Sequence, residues 1–189
     1  MYFYLVSFPL LGAGLKYIDD AFDEKIYNRK LAIALAPILG VLWAYTMLLD
    51  PFAATILLAV LVGVFLRGKI DNLAHFIGLI IIAGIIILIG INLLFLPLIF
   101  LAIAAFLDEV GSDIIDYNLD NINMNNFWQK VGVYFFDQRW MTKIAILYIV
   151  LLGIFPLYFF LAMLLFDGAY LTVRLYSRSQ RRLNGAVAA

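Results

Sequence analysis

The chain has 189 residues, 66% of them hydrophobic and 14% charged, with 13 basic and 13 acidic side chains, one histidine and no cysteine. A mean hydropathy of +1.02 excludes an ordinary soluble domain, and zero net charge gives no bulk attraction to nucleic acid. Without cysteine there are no disulfides, thiolate metal sites or cysteine nucleophiles, and a lone His75 rules out a histidine-rich zinc centre.

The apolar runs match the ~20 residues that a helix needs to cross ~30 Å of hydrocarbon. The first, about Met1 to Tyr17, has no charged segment before it and reads as a retained helix. The second spans Leu31 to Leu49 and ends at the turn signal Asp50-Pro51. The third, Phe52 to Leu66, is closed by Arg67-Gly68-Lys69. An unbroken block of 32 residues follows, from Phe76 to Leu107. As one helix it would be about 48 Å long at ~1.5 Å per residue, too long for one crossing. A break near Gly90-Ile91-Asn92, with Pro97 just inside the next helix, makes it the fourth and fifth spans. The Asn-rich stretch from Asp113 to Asn126 reads as a solvated loop, and the aromatic stretch from Val131 to Trp140 as a helix at headgroup depth. The sixth span is Ile144 to about Leu171, kinked at Pro156.

The expected fold is therefore all-α. It is a polytopic membrane helical bundle of about six transmembrane helices plus an interfacial aromatic helix. Residues 1–173 form one transmembrane domain with a polar and interfacial insert at 108–143, and residues 174–189 form a basic, frayed tail. Lys16, Lys25, Arg29, Lys30, Arg67, Lys69, Lys130, Arg139 and Lys143 collect on one side of these spans, whereas the turns at Asp50-Pro51 and Gly90-Asn92 carry no base. The positive-inside rule makes that side cytoplasmic. Arg174, Arg178, Arg181 and Arg182 resist this scheme, because a single sixth crossing puts them on the opposite side. Either that span re-enters at Pro156 or the count is off by one.

Eight of the thirteen carboxylates fall in three short patterns that follow the first, third and fifth spans. These are Asp19, Asp20, Asp23 and Glu24; Asp71, with His75; and Asp108, Glu109 and Asp113. Ionisable groups at membrane depth are expensive and are read as functional by default. Asp19/Asp23, Asp71/His75 and Glu109/Asp113 are i,i+4 pairs, which share a face when helical. If three such helix ends meet, Asp19, Asp20, Asp23, Asp71, Asp108, Glu109 and Asp113 become candidate ligands for a divalent cation. Oxygen-rich ligation favours Mg²⁺ or Mn²⁺. Lys16, Lys69, Lys130 and Arg139 lie close enough to hold a phosphate, and Asp71 or His75 would serve as the base. The plainer account is surface pairing, for instance Asp71 with Lys69 or Arg67 and Asp23 with Lys25 or Arg29, each worth only ~0–1 kcal/mol.

Two function classes compete. The first is an enzyme, a Mg-dependent transferase or hydrolase acting on a lipid-linked phosphate or pyrophosphate at the cytoplasmic interface. Its chemistry is analogous to that of intramembrane prenyltransferases and phosphatidyl-alcohol transferases. The chain carries neither the Asn-Asp-x-x-Asp-x-x-x-Asp signature of the one nor the Asp-Gly-x-x-Ala-Arg core of the other. The second class is a divalent-cation or proton-coupled transporter or channel, disfavoured because carriers bind near the midplane. A non-catalytic membrane subunit is a further option. The expected partners are membrane lipid and a divalent cation, with no nucleic acid, and a homo-oligomer is compatible with all three readings.

Overall fold

The computed structural model describes the whole chain except residues 69, 119–121, 123–125 and 188–189, with backbone alone at 182–187. Among the described residues it holds eight helices and no strand. They are α1 (Tyr2–Phe22), α2 (Arg29–Leu49), α3 (Pro51–Leu66), α4 (Leu73–Ile89), α5 (Phe95–Tyr117), α6 (Phe127–Asp137), α7 (Trp140–Leu151) and α8 (Leu157–Val187). The chain divides into two compact units. One comprises Met1–Asp50, Asp71–Ile91 and Leu161–Ala189, the other Pro51–Ile70 and Asn92–Phe160.

Three helices start on the same device. Asn28, Asn72 and Asn126 each turn a side-chain oxygen onto a backbone N–H in the first turn of α2, α4 and α6. An N-cap of this kind is worth about 0.5–2 kcal/mol. Gly90, at φ +79, ends α4, and α5 begins at Phe95, so the long apolar block breaks where the sequence predicts. Inside the apolar helices, hydroxyls bond back one turn: Thr46 Oγ1 donates to Leu42 O and Thr55 Oγ1 to Pro51 O, both at 2.7 Å. Thr55 Oγ1 also accepts the Leu94 N–H at 3.0 Å, satisfying a backbone donor at the start of α5.

Two expectations are corrected. The sixth span is not one kinked helix but two, α7 and α8, separated by residues 152–156. Gly153 (φ +73) donates to Val150 O and Ile154 to Ile149 O, the Schellman pattern that closes a helix. Pro156, which has no N–H to donate, follows. The Asp71/His75 pair is not helical either, because Asp71 lies outside α4, ahead of its cap Asn72.

In the first unit α1 and α2 run antiparallel, with Phe3 against Tyr45 at one end (ring centroids 5.7 Å) and Gly14 against Leu39 further along. α2 and α4 run parallel and approach closely, Gly40 meeting Gly78 and Ile81. Ile18, Ala21, Ala32, Ala36 and Ala74 form a buried core there, the small-residue packing by which apolar helices associate. α1 and the later part of α8 also run parallel, since Gly12 lies against Phe166 and both Lys16 and Asp19 meet Tyr170. Further on, Tyr27 accepts from Ser177 and Arg181 pairs with Glu24. The basic tail thus returns to the acidic end of α1.

In the second unit α3 and α5 run parallel, with Gly63 against Ala105 and Arg67 paired with Asp113. α7 runs antiparallel to α5, joined by Asp108–Thr142 at one end and Phe100–Tyr148 further along. α6 packs on α5 where Gly111 meets the Phe136 ring.

Among the described residues two helices, Arg29–Leu49 and Leu157–Arg181, are long and apolar enough to cross a membrane. Of their apolar windows, 39% and 28% are buried. Large apolar side chains stand exposed on other helices as well, among them Leu88, Phe95 and Leu96. Such surface marks contact with lipid or a partner.

Candidate functional site

The first two acidic patterns meet at one end of the first unit. Asp19, in the last turn of α1, lies between two partners. His75 Nε2 is 2.6 Å from its Oδ1, and the Tyr170 hydroxyl donates to its Oδ2 at 3.2 Å. His75 is fixed from behind, because its backbone N–H donates to the Asn72 side chain at 2.9 Å. Where Nε2 donates to that carboxylate, Nδ1 is the ring nitrogen with no share in the bond. Asp20 points into the packed interior, 2% exposed, and pairs with Lys16 at 2.9 Å. Arg29 closes α1 by donating to Ala21 O (3.3 Å) and Phe22 O (2.9 Å).

Asp23 and Asp71 are both exposed at this end. Partial burial pushes the Asp23 carboxyl above the usual range. The charges of Asp19 and Asp71 add to that, while Lys16 and His75 pull it down. The folded state therefore disfavours ionised Asp23 relative to the unfolded chain. That penalty is absent at low pH, grows as pH rises through the ordinary carboxylate range and is complete above the raised folded pKa. Asp23→Asn is expected to raise the thermal midpoint at about pH 8 and to leave it unchanged at about pH 3. Melting curves of the detergent-solubilised protein at the two pH values test this.

The third pattern is held in the second unit by neighbours of its own. Asp108, 1% exposed, accepts the backbone N–H groups of Met141 (3.0 Å) and Thr142 (2.7 Å) and the Thr142 hydroxyl (2.7 Å). It thereby caps the first turn of α7, whose own preceding residue, Arg139, sits at φ 52 and supplies no side-chain cap. Glu109 pairs with Arg139 at 3.0 Å, and Asp113 with Arg67. These bonds are a structural use of the three acids.

Of the basic residues predicted to hold phosphate, Lys16 is engaged by Asp20 and Arg139 by Glu109. Lys69 lies outside the described residues. Among the described residues no group of three or more His, Asp or Glu is arranged to hold a metal ion. Sequence reasoning missed Tyr170, Asn72 and Thr142. The Asn-Leu-Ala-His spacing at Asn72 is a legible cap signal, whereas nothing near Tyr170 or Thr142 in the chain announces their acids. No family model, curated protein or solved structure matches the chain.

Proposed function

We propose that this chain is a polytopic membrane protein that acts on a lipid-linked phosphate or pyrophosphate at the cytoplasmic interface, with His75 as general base. The observation that carries this reading is the arrangement around Asp19. A carboxylate clamped between an imidazole and a phenol, at the wet end of apolar helices, orients a base whose second nitrogen stays available. Within the first unit the Arg181–Glu24 pair keeps the basic tail at the same end as Lys16 and Arg29, which supports a shared cytoplasmic side under the positive-inside rule.

The metal enters this reading in a reduced form. Asp19 and Asp20 are occupied, which leaves Asp23 and Asp71 as the ligands. Mg²⁺ commonly takes one or two carboxylates and completes its shell with water and substrate phosphate. The cation would offset the repulsion at Asp23 and polarise the phosphoryl oxygen. Nδ1 of His75 would take the proton of an attacking hydroxyl or water, and Tyr170 and His75 together hold Asp19 in place.

The test is turnover of prenyl pyrophosphate and of phosphatidate by the purified protein in lipid nanodiscs with Mg²⁺, followed by ³¹P NMR. Hydrolysis or transfer should occur with one of them, fall about 100-fold or more in His75→Asn, and demand higher Mg²⁺ in Asp71→Asn. Full activity in His75→Asn removes the base. Inertness toward both lipids with Mg²⁺ or Mn²⁺ removes the enzyme.

A second reading, a proton-coupled carrier, rests on Asp20. Its Oδ2 is buried and has no hydrogen-bond partner among the described residues, the mark of a group whose proton matters. Proton uptake by vesicles that is lost in Asp20→Asn, without lipid turnover, would favour it.

A further inference from the structure

The second unit carries a site that the reading above does not use. Phe127, Lys130, Val131, Tyr134, Phe135 and Trp140 line an open concavity of about 430 Å³ on α6 and the start of α7. That is within the roughly 300–1,000 Å³ of small-molecule sites. Five of the six lining side chains are aromatic or aliphatic, and the sixth is a cation. Phe127, Lys130, Val131 and Tyr134 fall at i−3, i, i+1 and i+4 about Lys130, one face of the helix.

The cation stands apart from its neighbours. The other described basic residues of this unit are all engaged: Arg67 with Asp113, Arg139 with Glu109, and Lys143 with Gln138 O. Lys130 makes no ion pair with a described residue and is exposed. None of the eleven residues of α6 is buried, and Phe127 and Trp128 are 67% and 77% exposed. An aromatic helix with an apolar trough and, at its edge, an ammonium that no described residue pairs with matches one chemistry closely, a molecule with an anionic head and a hydrocarbon tail. Trp and Tyr favour the headgroup level of a bilayer, and a Lys there gains about 1 kcal/mol from anionic lipid.

We propose that this groove holds one anionic phospholipid, its phosphate on Lys130 and an acyl chain along Phe127, Val131, Phe135 and Trp140. The lipid would be a fixed anchor of α6 at the interface, separate from any substrate of the first unit. Tyr134 places a phenol on the same face of α6 as Lys130 and can donate to a phosphate or glycerol oxygen.

Native mass spectrometry of the full-length protein, released from nanodiscs of mixed phosphatidylglycerol and phosphatidylcholine with matched chains, tests the proposal. Wild type should carry one tightly held phosphatidylglycerol, in excess over phosphatidylcholine by about five-fold or more. Lys130→Glu should lose that excess with its helical circular dichroism unchanged, and Lys130→Arg should keep it. Millimolar inorganic phosphate should not displace the lipid, because the phosphate group alone leaves the trough empty. Equal retention of the two lipids by wild type, an undiminished excess in Lys130→Glu, or displacement by inorganic phosphate would overturn it. Should Lys130→Glu fail to fold, Lys130→Gln removes the charge at similar length and is read the same way.

Discussion

Asp108→Ala is expected to cost roughly 2–4 kcal/mol of stability, making it one of the most damaging single changes in the chain. The side chain is buried and takes three donors, the N–H groups of Met141 and Thr142 and the hydroxyl of Thr142. Truncation leaves them facing a space with no acceptor, and each unsatisfied buried donor costs ~1–3 kcal/mol. Rotation of the Thr142 hydroxyl to another acceptor and relaxation of the two freed N–H groups at the first turn of α7 would recover part of this, which keeps the cost toward the low end of the sum. Asp108→Asn keeps one acceptor oxygen and turns an NH₂ toward the remaining donors, so it should fall between wild type and Asp108→Ala. Thermal unfolding in detergent, with limited proteolysis around residues 138–142, measures both changes. The outcome also separates a cap from a metal ligand. A ligand would lose the Mg²⁺ response in Asp108→Asn at little cost in stability, whereas a cap loses stability whether or not Mg²⁺ is present.

That result bears on how much of the site can be read from sequence. The recurrence of Asp and Glu after apolar runs is visible in the chain, and so is the Lys16–Asp20 spacing that neutralises one of them. Hidden are the partners supplied by distant helices. Thr142 lies 34 residues from Asp108, and Tyr170 lies 151 from Asp19. Which acid is a cap and which orients a histidine follows from helix pairing, and three near-identical patterns do not encode it. The same holds for Asp71, which shares the spacing of a helical pair but lies outside the helix because Asn72 takes the cap.

Helix boundaries were more legible, with one instructive failure. Gly90 ends α4 inside a run that is apolar on both sides, and the excess length of that run demanded a break. At residues 152–156 the run is also interrupted, but a proline alone is compatible with a kink. What turns the kink into a stop is Gly153, three residues earlier, which takes the positive φ that the closing turn needs. Gly153 and Pro156 together carry the information, and Pro156 alone does not. Within the first unit, Arg181 pairs with Glu24 at the acidic end of α1.

Gly12→Ala should be the other severe change. A Cβ there would stand 2.2 Å from the Phe166 carbonyl oxygen and 2.9 Å from its carbon. Both are backbone atoms, so no rotamer relieves the contact and α1 and α8 must separate. Over-packing costs about 1–3 kcal/mol where side chains can adjust, and this contact should reach the top of that range or beyond it. Two other glycines calibrate the measurement. At Gly14 the nearest atoms are the Leu39 methyl groups at 2.6 Å, the end of a flexible side chain, so Gly14→Ala should cost less. At Gly84 nothing lies within 4 Å, and Gly84→Ala should be neutral or stabilising by up to about 1 kcal/mol from helix propensity alone. The expected order of thermal midpoints is Gly84→Ala, wild type, Gly14→Ala, Gly12→Ala. Because α1 and α8 also bring Asp19 to Tyr170, Gly12→Ala should lengthen that hydrogen bond and lower any His75-dependent activity in Gly12→Ala molecules that still fold. A Gly12→Ala protein as stable as wild type would mean that α1 and α8 do not make this close contact, and the Asp19–Tyr170 bond would fall with it.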